Sequence, residues 1–446
     1  MNFEDIIYGH ITLPIEIRYI IDTIPFQRLR YIKQLGMVHY LYPCANHTRF
    51  EHSIGVAYLC YNLMKKLQLK QPELNITDRD SILVSVAGLI HDIGHACFSH
   101  FFDDKLMNKM NINHPNYFLK HHEARSEYIF KKIVKDYNLE YTENEIDLIC
   151  EYINPKIHNI KEKNIDRKFR YEIVSNYISG FDCDKLDYLV RDSHYLGNRV
   201  DLNVLTLLDN AIVIDDNICY PKNMMINVYS VYHSRFLFHK KYYGNDTTRC
   251  IEYMIYDAML KSSLFNNIED ILDKDDFYNF TDNILQMMLM SNQDCSIIIK
   301  NIYNRNLYRI INETSINIDD EEILKKIINK FNDFLELNDI KDDFIFDITK
   351  INYGKGKDNP IEFIKFYKNK NTLYIPNKKI LKTTPLYYEE ILFRIIGKCN
   401  KPDKKFYNNL KSNDEIIDND VINNEISMEL LGELMMIIVN DIINSY

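Results

Sequence analysis

Four side chains able to bind a metal or move a proton, His91, Asp92, His95 and His100, lie in the stretch 89-LIHDIGHACFSH-100. Their neighbours Leu89, Ile90, Ile93, Ala96, Cys97 and Phe98 are apolar, which places the stretch inside the protein. Imidazoles and carboxylates in such a setting are costly unless paired or metal-bound. Adjacent His91 and Asp92 offer a nitrogen and an oxygen ligand from one turn. His52 in 49-RFEHSIGVAYL-59 and Asp184 in 182-DCDKLDYLVRD-192 sit in apolar helical patterns that can deliver them to the same place. Taken singly, each is more often a helix-end or core hydrogen-bonding group. Together, His52, His91, Asp92 and Asp184 form a mixed imidazole–carboxylate set suited to iron, manganese, zinc or magnesium.

Around this set stand His95, His100 and Asp103, with His122 at the start of a helix in 121-HHEARSE-127. His95, Asp103 and His122 read as a proton-handling cluster. Phosphate-ester hydrolysis needs both parts, a metal at a phosphoryl oxygen and an acid for the leaving oxygen. Cations follow the same logic. Arg49 lies three positions before His52, Lys185 follows Asp184, and Arg235 and His239 are one turn apart. Arg and Lys directed at a metal site point to a phosphate-bearing substrate. Tyr188 and Asp192 follow Asp184 at one-turn spacings and suit a sugar, one as a flat wall and the other as an acceptor. The sequence contains no GxxxxGK[ST] loop and no GxGxxG run, which argues against P-loop and Rossmann chemistry.

The elements that position these residues are mostly helical. Periodicity predicts a helix over 15–35 that restarts at Pro25, a strong helix over 48–67, and one running from a Thr77/Asp80 capping box to about Gly94. Further helices are predicted at 122–136, 143–154, 169–180 and 183–197, and through most of 228–265 and 267–291. Residues 8–14 read as a turn, 101–122 as a loop, and 211–228 as a short hairpin. Strand patterns appear at 344–354, 361–367 and 371–376, and a terminal amphipathic helix at 424–443. The fold class is mainly α: a helical catalytic core over 1–290, a smaller α/β lobe over 291–400, and a polar linker with a terminal helix over 401–446.

Composition narrows the function classes. An apolar content of 46% supports a real core, and a formal charge of −10 argues against a general nucleic-acid coat. Lys-rich patches at 155–168 and 378–405 leave a nucleic-acid contact open. The nine cysteines show no CxxC pair and there is no leading signal sequence. The expectation is reduced thiols in an intracellular protein, cytoplasmic or nuclear. No apolar run approaches the ~20 residues of a membrane span.

The set His52…His91-Asp92…Asp184 has the form of the HD-domain metal phosphohydrolases. Longer stretches resemble the animal SAM- and HD-domain deoxynucleoside triphosphate triphosphohydrolases. These are 20-IIDTIPFQRLRYIKQLG-36, 46-NHTRFEHSIGV-56, 87-AGLIHDIGHACFSHFFD-103, 171-YEIVSNYISGFDCDKLDYLVRDSHYLG-197 and 352-NYGKGKDNPIEFIKFY-367. The likeness runs from about residue 4 to about 400 and covers the catalytic core and C-terminal lobe without a SAM domain. It implies hydrolysis of a dNTP to a deoxynucleoside and inorganic triphosphate, with metal held by His52, His91, Asp92 and Asp184. His100 is then the candidate general acid, beside His95, Asp103 and His122. The resemblance gives Arg49, Lys185, Arg235 and Tyr243 to the phosphates, and Gln34 and Asp192 to the 3′-hydroxyl. Leu35 and Tyr188 would crowd the 2′ position and exclude ribonucleotides.

Family relatives assemble as oligomers, usually tetramers, and are activated by nucleotides between subunits. The resemblance therefore implies a homo-oligomer, dimer or tetramer, with a GTP or dNTP activator. Asp22, Gln27 and Arg30 match its guanine-reading positions, and Arg305 and Arg309 keep the family's basic character. Met1, Val204, Gly244 and Asp246 depart from it, the last by putting negative charge where the family has a lysine. Loss of charge-assisted bonds there weakens a polyphosphate pocket. Two other functions compete: an HD phosphohydrolase acting on another nucleotide, and a catalytically silent nucleotide sensor or scaffold.

Overall fold

A computed structural model of the protein describes residues 1–160, 166–200, 202–291, 293–316, 343–369, 373–374 and 385–398, with isolated positions between 325 and 336. The chain opens with a hairpin of β1 (Asn2–Asp5) and β2 (Gly9–Thr12), where a turn was expected. Asp5 shapes that turn by accepting from the backbone N–H of Ile7 and Tyr8 at 2.8 and 2.9 Å. Next come α1 (Ile15–Ile21) and α2 (Ile24–Gln27), with a 3-10 turn to Tyr31. The helix predicted to Leu35 stops there because the Lys33 backbone pairs with Thr48 instead.

The centre of the core is α3 (Arg49–Lys70) packed on α4 (Asp78–Ile90). Both start at capping boxes. The Glu51 carboxylate accepts from Thr48 N at 2.5 Å, and Asp80 and Thr77 exchange bonds at 3.0 Å. Helix α4 reads SILVSVAGLI and is buried throughout this run apart from Ile82, so it runs through the core. Each fully buried Leu or Ile contributes about 1.5–3 kcal/mol of apolar transfer. Ser85 avoids an unpaired hydroxyl by donating to the Ala57 carbonyl at 2.8 Å.

Around this pair are α5 (His122–Asp136), α6 (Glu143–Ile153), α7 (Cys183–Tyr195) and α8 (Val204–Asp209). The helix predicted over 169–180 is only a 3-10 turn at Lys168–Glu172. Downstream of it Asn176 makes local side-chain bonds to Ile178 N and Ser179 N that compete with a helix. The predicted hairpin is β3 (Ile212–Ile214) and β4 (Asn217–Pro221). Then follow α9 (Met225–Phe238), α10 (Asp246–Leu260), α11 (Ile284–Met290) and α12 (Asp294–Tyr303). Much of 261–283 is 3-10 turns rather than helix.

Strands β5 (Arg309–Ile316), β6 (Phe344–Asn352) and β9 (Glu389–Gly397) form an antiparallel sheet ordered β5-β9-β6; β5 and β9 escaped the sequence reading. In the second sheet β4 pairs in parallel with β7 (Lys365–Tyr367), which pairs with β8 (Leu373–Tyr374). Strands from either side of residue 290 therefore share one sheet. The terminal helix expected at 424–443 lies outside the described residues. Among the described residues no helix is long and apolar enough to cross a membrane.

Two short π-helical segments interrupt the regular pattern, at Phe102–Leu106 and His239–Tyr243. Both contribute residues to one cleft of about 670 Å³. Insertions of this kind re-aim side chains and recur at functional sites.

Candidate active site

Helix α4 ends at Ile90, and the carbonyls of the turn that follows it are held by side chains from elsewhere. Ser126 Oγ donates to His91 O at 2.7 Å, Arg28 donates to Ile93 O at 2.6 Å, and Arg125 Nε donates to Gly94 O at 2.8 Å. This fixes the backbone on which His91 and Asp92 stand. His52 arrives from the second turn of α3, and Asp184 from the first turn of α7. The structure brings all four predicted ligands together. His52 Nε2 lies 3.1 Å from Asp184 Oδ1 and 3.5 Å from Asp92 Oδ2. His91 Nε2 lies 3.4 and 3.5 Å from the same two oxygens.

The opposite faces of the two rings are spoken for. His52 Nδ1 is 2.8 Å from Asp187 Oδ2, and His91 Nδ1 is 2.8 Å from the Gly88 carbonyl. Those bonds turn both Nε2 atoms inward, where they are buried and, among the described residues, have no hydrogen-bond partner. Ligand bonds of about 2.1 Å correspond to ligand-to-ligand edges of roughly 3.0–3.4 Å, close to the spacing found here. The residues fit a divalent cation. Burial opposes charge on His91, yet Asp92 and Asp184 push its imidazole up to about 9. Burial acts the other way on Asp184, but His52 and His91 hold its carboxyl well below the usual range. A cation at this point replaces those protons.

His95, His100 and His122 form a second group, their ring nitrogens within 4.8 Å of one another. His95 is fully buried and stacks on His122 at 3.8 Å, and His100 stands edge-on to both at the mouth of the cleft. Asp103 Oδ2 accepts from the backbone N–H of His122 at 2.9 Å and lies 2.8 Å from its Nδ1, while Arg125 binds the other Asp103 oxygen. Burial, then Arg49, then His122 hold the His95 imidazole well below its ordinary value. His122 is raised, burial being outweighed by Asp103 and Glu123.

The cleft also contains Gln34, Leu35, Arg49, Lys185, Tyr188, Asp192, Arg235, His239 and Tyr243, every predicted substrate residue. Their partners differ in kind. Arg49 is buried and commits its guanidinium to Asp92 and to Ser99 Oγ, the latter at 2.9 Å. Arg235 donates to the Asn352 carbonyl and side chain. Tyr243 donates its hydroxyl to Asp192, whose other oxygen is 2.7 Å from His47 Nε2. The Gln34 side-chain carbonyl is buried and has no hydrogen-bond partner among the described residues. Burial first, then Arg235, His100 and Lys185, push His239 well below its ordinary value.

The residues matched to an activator site divide. Asp22 pairs with Arg18 at 3.0 Å, the Gln27 amide donates to Ile21 O, and Arg30 Nε donates to Gln27 at 2.8 Å. Arg305 and Arg309 line a separate cavity of about 420 Å³ together with Asp246. Of the departures, the Met1 amine donates to Leu13 O at 2.7 Å and Asp246 lies 3.1 Å from Arg394. Val204 is buried at the start of α8, and Gly244 borders the main cleft.

Sequence reasoning missed His47, Asp187 and the supports Arg28, Arg125 and Ser126. Only Asp187 left a clear signal, lying one turn beyond Asp184 and one turn before Arg191 on α7.

The HD domain family matches residues 49–190, a span that includes all four candidate ligands. The chain is 35% identical to the deoxynucleoside triphosphate triphosphohydrolase SAMHD1 homolog of Dictyostelium discoideum over 430 residues, covering 92% of this chain and 80% of that one. It is 34% identical to deoxynucleoside triphosphate triphosphohydrolase SAMHD1 of Homo sapiens, covering 90% and 71%. It is 34% identical to the putative HD domain-containing protein L394 of Acanthamoeba polyphaga mimivirus, covering 81% and 83%. The likeness spans both sheets as well as the helical core, and the chain belongs to the SAMHD1 family of HD-domain proteins.

Proposed function

We propose that the chain hydrolyses 2′-deoxynucleoside triphosphates to the deoxynucleoside and inorganic triphosphate. One observation carries the reading: His91, Asp92 and Asp184 line the same cleft as Lys185, Arg235, His239, Gln34 and Tyr188, and the buried His52 reaches Asp184 from behind at 3.1 Å. His52, His91, Asp92 and Asp184 would hold a divalent ion, which would supply Lewis acidity for attack at the α-phosphoryl group. The ligand types accept iron, manganese, zinc or magnesium. Lys185 and Arg235 hold the polyphosphate, and Arg49 and Tyr243 border it while fixing Asp92 and Asp192. Gln34 and Asp192 read the 3′-hydroxyl, and Leu35 and Tyr188 close the space a 2′-hydroxyl needs.

Water attacks the α-phosphorus, the bond to the 5′ oxygen breaks, and the proton the water loses passes to solvent. His100 delivers a proton to that oxygen, and His95, Asp103 and His122 orient and recharge it. Burial and the neighbouring Arg49 hold the unliganded His100 below its ordinary value. Triphosphate charge in the cleft favours the protonated form the step requires. Assembly as a homo-oligomer and activation by GTP or a dNTP belong to the same reading, as does an intracellular, reducing compartment.

The test is product analysis. Purified protein is incubated with each dNTP and manganese or magnesium, with and without GTP, and the products are separated by chromatography. Deoxynucleoside plus triphosphate supports the reading, and dependence on GTP decides activation. Deoxynucleoside monophosphate plus pyrophosphate overturns the site of cleavage. No turnover by metal-loaded protein favours a silent sensor. Light scattering during size exclusion gives the assembly state.

A further inference from the structure

Two successive residues without glycine's freedom, Phe98 and Ser99, have φ of +64° and +60°, immediately before His100. Side chains adopt this conformation reluctantly, and a pair in sequence persists only where surrounding bonds over-determine it. Those bonds come from far along the chain. Asp282 Oδ1 accepts from the Phe98 N–H at 2.7 Å. Its Oδ2 accepts from the Lys33 N–H at 2.9 Å. Asp282 is itself anchored by its own N–H, which donates to the Tyr31 carbonyl at 3.0 Å.

Lys33 opens the loop that carries Gln34 and Leu35. A second bond joins the same two segments, from Ser99 Oγ to the Lys33 carbonyl at 2.7 Å. The backbones are so close that a Cβ on Gly36, whose φ is +50°, would come within 3.1 Å of the Phe98 carbonyl. The sugar-facing loop and the turn that aims His100 are thus one mechanical unit, and Asp282 is the group that bonds to both.

We infer that Asp282 is a positioning residue that locks the deoxyribose-reading loop to the turn presenting His100, so that sugar selection and turnover depend on one carboxylate. The inference rests on the proposed reading of the cleft as a deoxynucleotide site. An Asp282→Asn side chain offers one oxygen to two N–H donors and turns an NH2 toward the other, so one strap is lost and a donor faces a donor.

The experiment compares wild type and Asp282→Asn, both metal-loaded, on each dNTP and its matching ribonucleotide. It records kcat, KM, metal content and melting temperature. The expected result is a loss of kcat of about tenfold or more together with a fall of about fivefold or more in the dNTP-to-rNTP ratio of kcat/KM, at unchanged metal content. A ratio within twofold of wild type overturns the inference, whatever happens to kcat or to the melting temperature, because a merely structural residue slows both substrates alike. If Asp282→Asn does not fold, Ser99→Ala removes the second strap and must lower the same ratio; an unchanged ratio there is equally fatal. A wild type that binds nucleotides without turnover has the ratio read from Kd. A wild type that neither binds nor hydrolyses dNTPs sinks the deoxynucleotide reading first, and this inference with it.

Discussion

His52 and Asp187 are both completely buried, and the 2.8 Å contact between Nδ1 of one and Oδ2 of the other sets the direction in which His52 offers its second nitrogen. Asp187 is held in turn by both arms of Arg191, each at 2.9 Å. Asp187→Asn keeps the shape but weakens this support. It is expected to lower metal affinity by about 10–100-fold with the helical content intact. Metal analysis after dialysis against graded chelator, beside circular dichroism, measures this; an unchanged metal content would remove Asp187 from the site.

Gly55, one turn after the His52 segment begins, has no room for a side chain. A Cβ there would collide with Asp187 Oδ1 and Arg191 Nη2. Gly55→Ala should therefore cost roughly 2 kcal/mol or more and reduce metal occupancy at the same time, because the clash pushes on the carboxylate behind His52. Urea unfolding with and without added manganese reads both effects. A variant with wild-type midpoint and wild-type metal content contradicts the packing described here.

Arg235 combines a fixed fork with a backbone partner at Asn352. Arg235→Lys retains the charge and loses the fork. The expected consequence is a KM for dNTP raised about tenfold with a smaller change in kcat, as befits a group holding phosphates in ground and transition states alike. Steady-state kinetics decide between this and an equal fall in kcat and kcat/KM, which would place Arg235 on the reacting phosphoryl group.

His95 gives a pH dependence with a definite sign. Its folded pKa is depressed, so above about 6.5 both folded and unfolded chains carry it neutral. As pH falls below 6.5 the unfolded chain takes up a proton that the folded chain refuses, and stability declines by up to about 1.4 kcal/mol per pH unit. The raised His122 works in the opposite direction, adding stability at low pH that is lost as pH rises through its folded pKa. The difference between wild type and His95→Gln isolates the first effect. Unfolding midpoints of metal-loaded protein at pH 7.5, 6.5 and 5.5 should fall more steeply for wild type; parallel slopes would show that His95 is not held neutral.

The convergence of His52, His91, Asp92 and Asp184 was legible because each stands in an apolar helical pattern, and a polar residue in such a pattern announces itself. Helices α3 to α7 were legible for the same reason, through caps such as Thr77 with Asp80. What escaped were groups whose meaning depends on distant partners. His47 is an unremarked residue in a loop until Asp192 meets it 145 residues later. The hairpin at residues 2–12 escaped because Asn2, Glu4, Gly9 and His10 carry no alternating apolar face. Strand β9 escaped because EEILFRIIG, buried on both sides over most of its length, has no alternation either. The helix predicted to Leu35 went wrong because periodicity does not see the bridge from Lys33 to Thr48.

The opening hairpin reaches further inward than its place at the edge suggests. Asp5 lies 2.9 Å from Arg191, Arg191 grips Asp187, and Asp187 aims His52. The first strand is therefore the outer end of a relay of alternating charge whose inner end is His52, a proposed metal ligand. A recombinant protein trimmed past Asp5, or carrying a bulky tag that unseats the Met1 amine from Leu13, would pass for well folded by its helices while its metal loading drifted from batch to batch.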